Sequence, residues 1–144
     1  MSGPEAVAAR LETLYRAIAE GPMAGLPICN ARLDVAAVGF RELGGECVGI
    51  VVTPWFVNLV AAPTAADAAR TGETRRLTLP AGAVDLIVGE LPGFGRLDAA
   101  SLLSPCHELA DMEAAFGLAE QALETLFTPP APRALDRRAF LRGG

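Results

Sequence analysis

Gly44-Gly45-Glu46-Cys47-Val48-Gly49-Ile50-Val51-Val52-Thr53-Pro54-Trp55-Phe56-Val57-Asn58-Leu59-Val60-Ala61-Ala62 is the stretch whose reading decides the fold. From Cys47 to Ala66 there are 20 consecutive residues without a charge, just enough for a helix to cross a bilayer. Thr53-Pro54 breaks that run, Asn58 interrupts it, and Pro63-Thr64 ends it. Its β-branched and aromatic content suits strands. The reading is therefore two adjoining buried strands, 46–52 and 55–62, with no membrane insertion. Gly44-Gly45 supplies a hairpin-type turn back to a strand at 33–40.

Beyond the run, residues 63–73 read as an Ala-rich polar loop or a short helix. Arg75 to Leu79 alternate weakly, and Pro80-Ala81-Gly82 makes a turn. Val84 to Leu91 and Arg96 to Leu103 read as strands joined by the turn Pro92-Gly93-Phe94-Gly95. A helix precedes the strands: Ser2-Gly3-Pro4-Glu5 has the form of a capping box, Val7, Leu11, Leu14, Tyr15 and Ile18 share one face, and Gly21-Pro22 stops it. A second helix follows at about 111–127, with Asp111 as N-cap and Met112, Ala115, Phe116, Ala119, Ala122, Leu123, Leu126 and Phe127 as its apolar face. The pattern is α+β: a single domain with an antiparallel sheet of about five to six strands and an N-terminal and a C-terminal helix. Both helices are expected on one face of the sheet, leaving the other partly open. Residues 1–128 form this domain, and residues 129–144 form a Pro-containing linker and a basic tail.

Charge is unevenly placed. Of the formal net charge of −5, residues 129–144 contribute +3 (Arg133, Arg137, Arg138 and Arg142 against Asp136), and the rest contributes −8. An acidic body repels nucleic acid and attracts short cationic peptides. The tail, Arg137-Arg138-Ala139-Phe140-Leu141-Arg142-Gly143-Gly144, has the pattern of a twin-arginine export-signal core. It is not expected to serve as one, because such a signal sits at an N-terminus ahead of an apolar segment. A solvated basic tail is the plainer reading.

Chemistry is sparse. The three cysteines, Cys29, Cys47 and Cys106, include no CxxC pair, which suggests reduced thiols in a cytoplasmic protein. No metal site and no cofactor is expected from three scattered cysteines and one histidine. Cys106 and His107 are adjacent, and adjacent side chains diverge, so they make a poor nucleophile–base pair. Gly89-Glu90-Leu91-Pro92-Gly93-Phe94-Gly95 matches no phosphate-binding loop, and the chain contains no Lys to reach a phosphate. Trp55 and Phe56, as neighbours on a strand, would point to opposite faces, one into the core and one toward a partner. A core role for both is the alternative.

At these residues the chain resembles the HybE-type nickel–iron hydrogenase assembly chaperones. The resemblance rests on Thr53-Pro54-Trp55-Phe56 with Asn58-Leu59, on Leu79-Pro80-Ala81-Gly82, and on Gly89-Glu90 with Gly93 and Gly95. It continues through Ser101-Leu102 and Ser104-Pro105 to Arg137-Arg138 with Phe140-Leu141. It implies a non-enzymatic cytoplasmic escort that holds a hydrogenase small-subunit precursor, which carries a twin-arginine signal, until the large subunit is complete. Some relatives carry an added rubredoxin domain with paired CxxC motifs. This chain has no such motifs, so no iron is carried over. Where relatives often have an aromatic residue before Gly89-Glu90, this chain has Leu86.

The expected binding residues are Trp55, Phe56, Asn58, Asp85 and Glu90 on the body, and Arg137, Arg138, Phe140 and Leu141 on the tail. Glu90 and Asp85 would accept the guanidinium groups of the signal, because the planar fork of arginine binds a carboxylate in two places. The aromatic pair would pack its apolar residues. Two other classes compete: a structural adaptor for the large subunit that never meets the signal, and a small enzyme acting through Cys106 and His107. The sequence sets neither the oligomeric state nor which subunit is bound.

Overall fold

The computed structural model describes residues 3–63 and 69–130. Two helices, α1 (Pro4–Glu20) and α2 (Met112–Phe127), bracket eight strands: β1 (Ala36–Leu43), β2 (Glu46–Val52), β3 (Val57–Pro63), β4 (Thr74–Leu79), β5 (Gly82–Ile87), β6 (Glu90–Leu91), β7 (Gly95–Arg96) and β8 (Asp98–Leu103). Six of them form an antiparallel sheet in the order β1-β2-β3-β8-β5-β4, while β6 and β7 pair as a separate two-stranded ribbon. The α+β architecture is the one expected. Among the described residues no helix is long and apolar enough to cross a membrane.

The two helices do not share a face of the sheet. Along β2 and β3, alternate residues enter two different cores. Val48, Ile50, Val52, Val57, Leu59 and Ala61 pack with Ala115, Ala119 and Leu123 of α2. Cys47, Val51, Val60 and Ala62 pack with Val7 and Leu11 of α1. The physical reason is the uncharged run itself. A strand apolar at every position must be covered on both sides, so each helix takes one side. Gly49 lets Phe40 lie flat on β2, where an added Cβ would stand 2.3 Å from the ring.

Helix α1 begins with Pro4 at its first turn behind Gly3, which offers no side-chain cap. The expected cap, Ser2, lies outside the described residues. Helix α2 begins as expected: the Asp111 carboxylate accepts from the Ala114 amide at 2.9 Å.

The strand expected from Val84 to Leu91 is interrupted. After Ile87 the chain leaves the sheet, and Glu90 pairs with Arg96 across the β6–β7 ribbon. Gly89 makes this crossing possible, because its backbone lies so close to Leu97 that a Cβ would sit 2.9 Å from the Leu97 carbonyl. The ribbon turns at Pro92-Gly93-Phe94 and reaches α1, where Arg10 donates to the Gly93 carbonyl at 2.9 Å. Leu91, Leu97 and Phe94 complete the core under α1.

A buried ion network ties together the end of the sheet where β6 departs. Asp98 is fully buried and accepts from Arg75 at 2.6 Å and from Arg96 at 2.8 Å. Arg75 also pairs with Glu46 of β2. Burial alone would raise the Asp98 pKa, but the hydrogen bonds and charges of Arg96 and Arg75 outweigh it and hold the carboxyl below its ordinary range. The unfolded chain therefore takes up this proton first as pH falls. The network stabilises the fold fully above the ordinary carboxylate value of about 3.9 and loses its contribution below it. Asp98→Ala should cost about 3 kcal/mol by leaving two guanidinium groups without their shared partner. Denaturant titrations between neutral and acid pH should show Asp98→Asn less stable at neutrality but flatter below about pH 4.

Candidate partner-binding face

Three half-buried aromatic residues, Tyr15, Trp55 and Phe56, meet beside α1. Thr53, Pro54, Trp55 and Phe56 form a turn between β2 and β3 rather than the start of a strand. The Thr53 hydroxyl shapes it by accepting from the amides of Trp55 at 3.2 Å and Phe56 at 3.0 Å. The Thr53 amide donates to the Phe56 carbonyl at 2.8 Å. This local capping by a buried hydroxyl replaces ladder hydrogen bonds that a turn cannot make. As a result Trp55 and Phe56 do not alternate across a sheet, contrary to the expectation from their succession. Their rings meet edge to face at 5.7 Å, and Tyr15 of α1 joins them at 6.4 Å from Trp55 and 5.6 Å from Phe56. Burial raises the pKa of the Tyr15 phenol.

Behind the turn stands a layer of buried polar contacts. The Asn30 amide donates to the Pro54 carbonyl at 2.7 Å. Its side chain donates to the carbonyls of Cys106 and Leu109 at 3.0 and 2.9 Å. The Cys106 thiol lies 3.3 Å from the Pro54 carbonyl. Three loops are thereby pinned to one another. Sequence reasoning left Tyr15 in the core, passed over Asn30, and read Thr53 as part of a break and a motif without a role for its hydroxyl. The only signal for them was a polar residue beside a Pro-containing break.

Next to the aromatic group part of the sheet is left uncovered by the described residues. Helix α1 lies over β1 and β2, but β8, β5 and β4 extend past it. Ile87 pairs with Ala99, and Ala99 belongs to the core on the α1 side. Ile87, Asp85 and Ala83 therefore share that side, with Thr74, Arg76 and Thr78 opposite them on β4. All six are exposed, and Ile87 leaves 52% of its surface to solvent. Asn58 and Ser101 are paired neighbours on the same side. The Asn58 Oδ1 is buried and has no hydrogen-bond partner among the described residues. That leaves a polar atom whose desolvation is not offset. The open area is thus half of one face, beside α1, rather than a whole face opposite two helices.

The expected binding residues divide into groups. Trp55, Phe56, Asn58 and Asp85 lie on or beside this open half-face. Asp85 makes an exposed pair with Arg76 at 3.2 Å. Glu90 is exposed but sits on the β6–β7 ribbon near Asp98, which pairs with Ala61, whereas Trp55 lies beyond Val57 at the other end of β3. Those ends are about 13 Å apart at the rise of a strand, so Glu90 and Trp55 do not line one cleft. Arg137, Arg138, Phe140 and Leu141 lie outside the described residues.

The geometry gives the Cys106–His107 pair no catalytic arrangement. Cys106 is fully buried, and burial pushes its thiol pKa up. His107 points away, with Nε2 2.9 Å from the Pro27 carbonyl. Among the described residues no group of His, Cys, Asp or Glu is placed to hold a metal ion.

Residues 6–143 match the family described as NiFe-hydrogenase assembly, chaperone, HybE. The chain belongs to the HybE family of hydrogenase assembly chaperones. It is 44% identical over 140 residues to the hydrogenase expression/formation protein HupJ of Bradyrhizobium diazoefficiens, covering 90% of this chain and 83% of that one. It is 38% identical over 137 residues to the corresponding HupT of Azotobacter chroococcum, covering 92% and 91%. The solution structure of HybE from Escherichia coli superposes with a TM-score of 0.67 at 25% identity, covering 89% of this chain and 84% of that one. The HybE fold therefore accounts for the six-stranded sheet and its two helices.

Two tests address the turn and its support. Thr53→Val should cost about 1–3 kcal/mol by removing the acceptor from two amides, with a shift in Trp55 fluorescence, while Thr53→Ser should keep both. Thiol titration of the native protein should modify Cys29 first, because Cys47 and Cys106 are buried, with all three reacting in denaturant.

Proposed function

We propose that this HybE-family chaperone holds a hydrogenase small-subunit precursor by its twin-arginine signal, in the cytoplasm and without catalysing a reaction. The observation that carries this reading is the half-buried aromatic group beside an exposed stretch of sheet that bears an acid, Asp85, and an apolar side chain, Ile87. The apolar residues after the signal arginines pack on Tyr15, Trp55 and Phe56 and extend toward Ile87. An arginine fork takes Asp85, whose exposed pair with Arg76 contributes little and exchanges readily. Glu90, on the ribbon, offers a separate acidic point for a cation elsewhere on the leader. The acidic body draws the cationic leader from a distance. Three unpaired thiols suit a reducing compartment.

A buried apolar anchor with one or two forked ion pairs supports micromolar affinity, about −8 kcal/mol, which suits reversible holding. Calorimetry with a synthetic leader peptide should give binding in that range. Trp55→Ala and Asp85→Arg should each weaken it by about tenfold or more, and Glu90→Gln should change it far less. Co-purification of tagged chain with small-subunit precursor should fail when the leader is removed. Retention of leaderless small subunit, or of large subunit alone, would instead support a structural adaptor and overturn the signal-binding reading.

A further inference from the structure

We propose that a cavity between α1 and the β6–β7 ribbon binds a small apolar carboxylate, with the charged end on Arg10 and the hydrocarbon body inside. The site is separate from the aromatic group. It lies beside Ala62, about 17 Å along β3 from Val57 at the rise of a strand, and it does not depend on the signal-binding reading.

Three observations carry it. The first is an arginine without an acid. The residues three and four positions from Arg10 on α1 are Ala6, Val7, Thr13 and Leu14, and Arg10 forms no ion pair among the described residues. Its guanidinium lies over the Phe94 ring, 4.7 Å from the centroid, and its Nη2 donates to the Gly93 carbonyl at 2.9 Å. A ring face and one carbonyl fix the plane of the group and leave other N–H donors of the fork for a ligand. Side-chain freedom that binding would otherwise remove is already lost in the free protein.

The second observation is the cavity. Among the described residues it encloses about 230 Å³, and Arg10 stands on its wall with Val7, Cys47, Ala62, Phe94 and Arg96. An apolar cavity of about 150 Å³ accepts a six-carbon ring, so a branched acid of similar size fits. Val7, Cys47 and Ala62 are buried and make the floor apolar. Burial, together with the charge of Glu42, pushes the Cys47 thiol pKa up, so the floor is uncharged at neutral pH.

The third observation is how the charges divide, which selects the class of anion. Arg96 is already held by the buried Asp98 at 2.8 Å and stands across the ribbon from Glu90. Arg75 is paired with Glu46. Arg10 is the cation on the wall that no carboxylate has taken, and Glu46, Glu90 and Asp98 oppose a second negative charge nearby. A monoanion is therefore favoured over a phosphate dianion, and a planar carboxylate matches the guanidinium fork. Two sources share this chemistry: a free short-chain acid, and the C-terminal residue of a polypeptide that ends in an apolar side chain.

The test is an NMR titration of the full chain with 4-methylpentanoate, its neutral amide and N-acetyl-leucine. Saturable shifts are expected at the Val7 and Ala62 methyl groups, with a dissociation constant of about 1 mM for the acid. The amide, equal in shape but uncharged, should bind about tenfold more weakly. Arg10→Gln should remove this preference, whereas Arg10→Lys should retain part of it. N-acetyl-leucine binding tighter than the free acid assigns the site to chain ends, and the reverse order assigns it to free acids. No saturable shift up to about 20 mM, or equal binding of acid and amide to the unaltered chain, overturns the proposal. So does an Arg10→Gln variant that weakens acid and amide alike, because that result reports only a loosened ribbon.

Discussion

Strands β2 and β3 have no side that tolerates water, and this condition governs the placement of everything else. Val48, Ile50 and Val52 face one way and Cys47 and Val51 the other, and all are buried. Covering both surfaces takes both helices, one on each side. Helix α1 is then committed to the β1–β2–β3 end and does not extend over β8, β5 and β4 on its own side, whereas α2 shares its core with Leu77, Leu79 and Leu86 of β4 and β5. The exposed strands are thus a consequence of how the apolar surface was distributed, because among the described residues two helices must cover two faces.

The same two strands determine where the aromatic group stands. Their connection must reverse direction beside a core already filled on both sides. Thr53 achieves this by turning its hydroxyl inward to serve two amides, and Asn30 binds the Pro54 carbonyl from behind. Trp55 and Phe56 are left on the outer rim of the turn, against Tyr15. Large amphipathic side chains held by a rigid turn lose little freedom on meeting a partner. The buried Cys106 belongs to this support, and its raised pKa follows from packing beneath the turn rather than from reactivity.

The Glu46–Arg75–Asp98–Arg96 network performs a comparable task at the opposite end of the sheet. It joins β2, β4, β7 and β8 where the chain breaks away to form the β6–β7 ribbon. A buried carboxylate flanked by two arginines tolerates few alternative registers, so the network fixes the point at which β5 ends and the ribbon begins. That crossing carries Glu90 toward α1 and away from the aromatic rim, which separates two groups that lie within a short stretch of strand in the linear reading.

The chain's residue pattern by itself determined the α+β class, the antiparallel sheet, both helices, the Asp111 cap and the family. These follow from local period, breakers and short motifs, all of which are written in neighbouring residues. It also marked Trp55, Phe56, Asn58 and Asp85 as residues to watch. Only the tertiary structure decided that the helices lie on opposite faces, because a strand apolar at every position looks the same whichever side its neighbours occupy. Only it decided that Trp55 and Phe56 share a rim with Tyr15, since a buried hydroxyl at Thr53 overrides the alternation that strand geometry would impose. The division of Asp85 from Glu90 likewise depends on a contact between Gly89 and Leu97 and on ion pairs spanning up to 29 positions, and interactions at that separation leave no local period in the sequence.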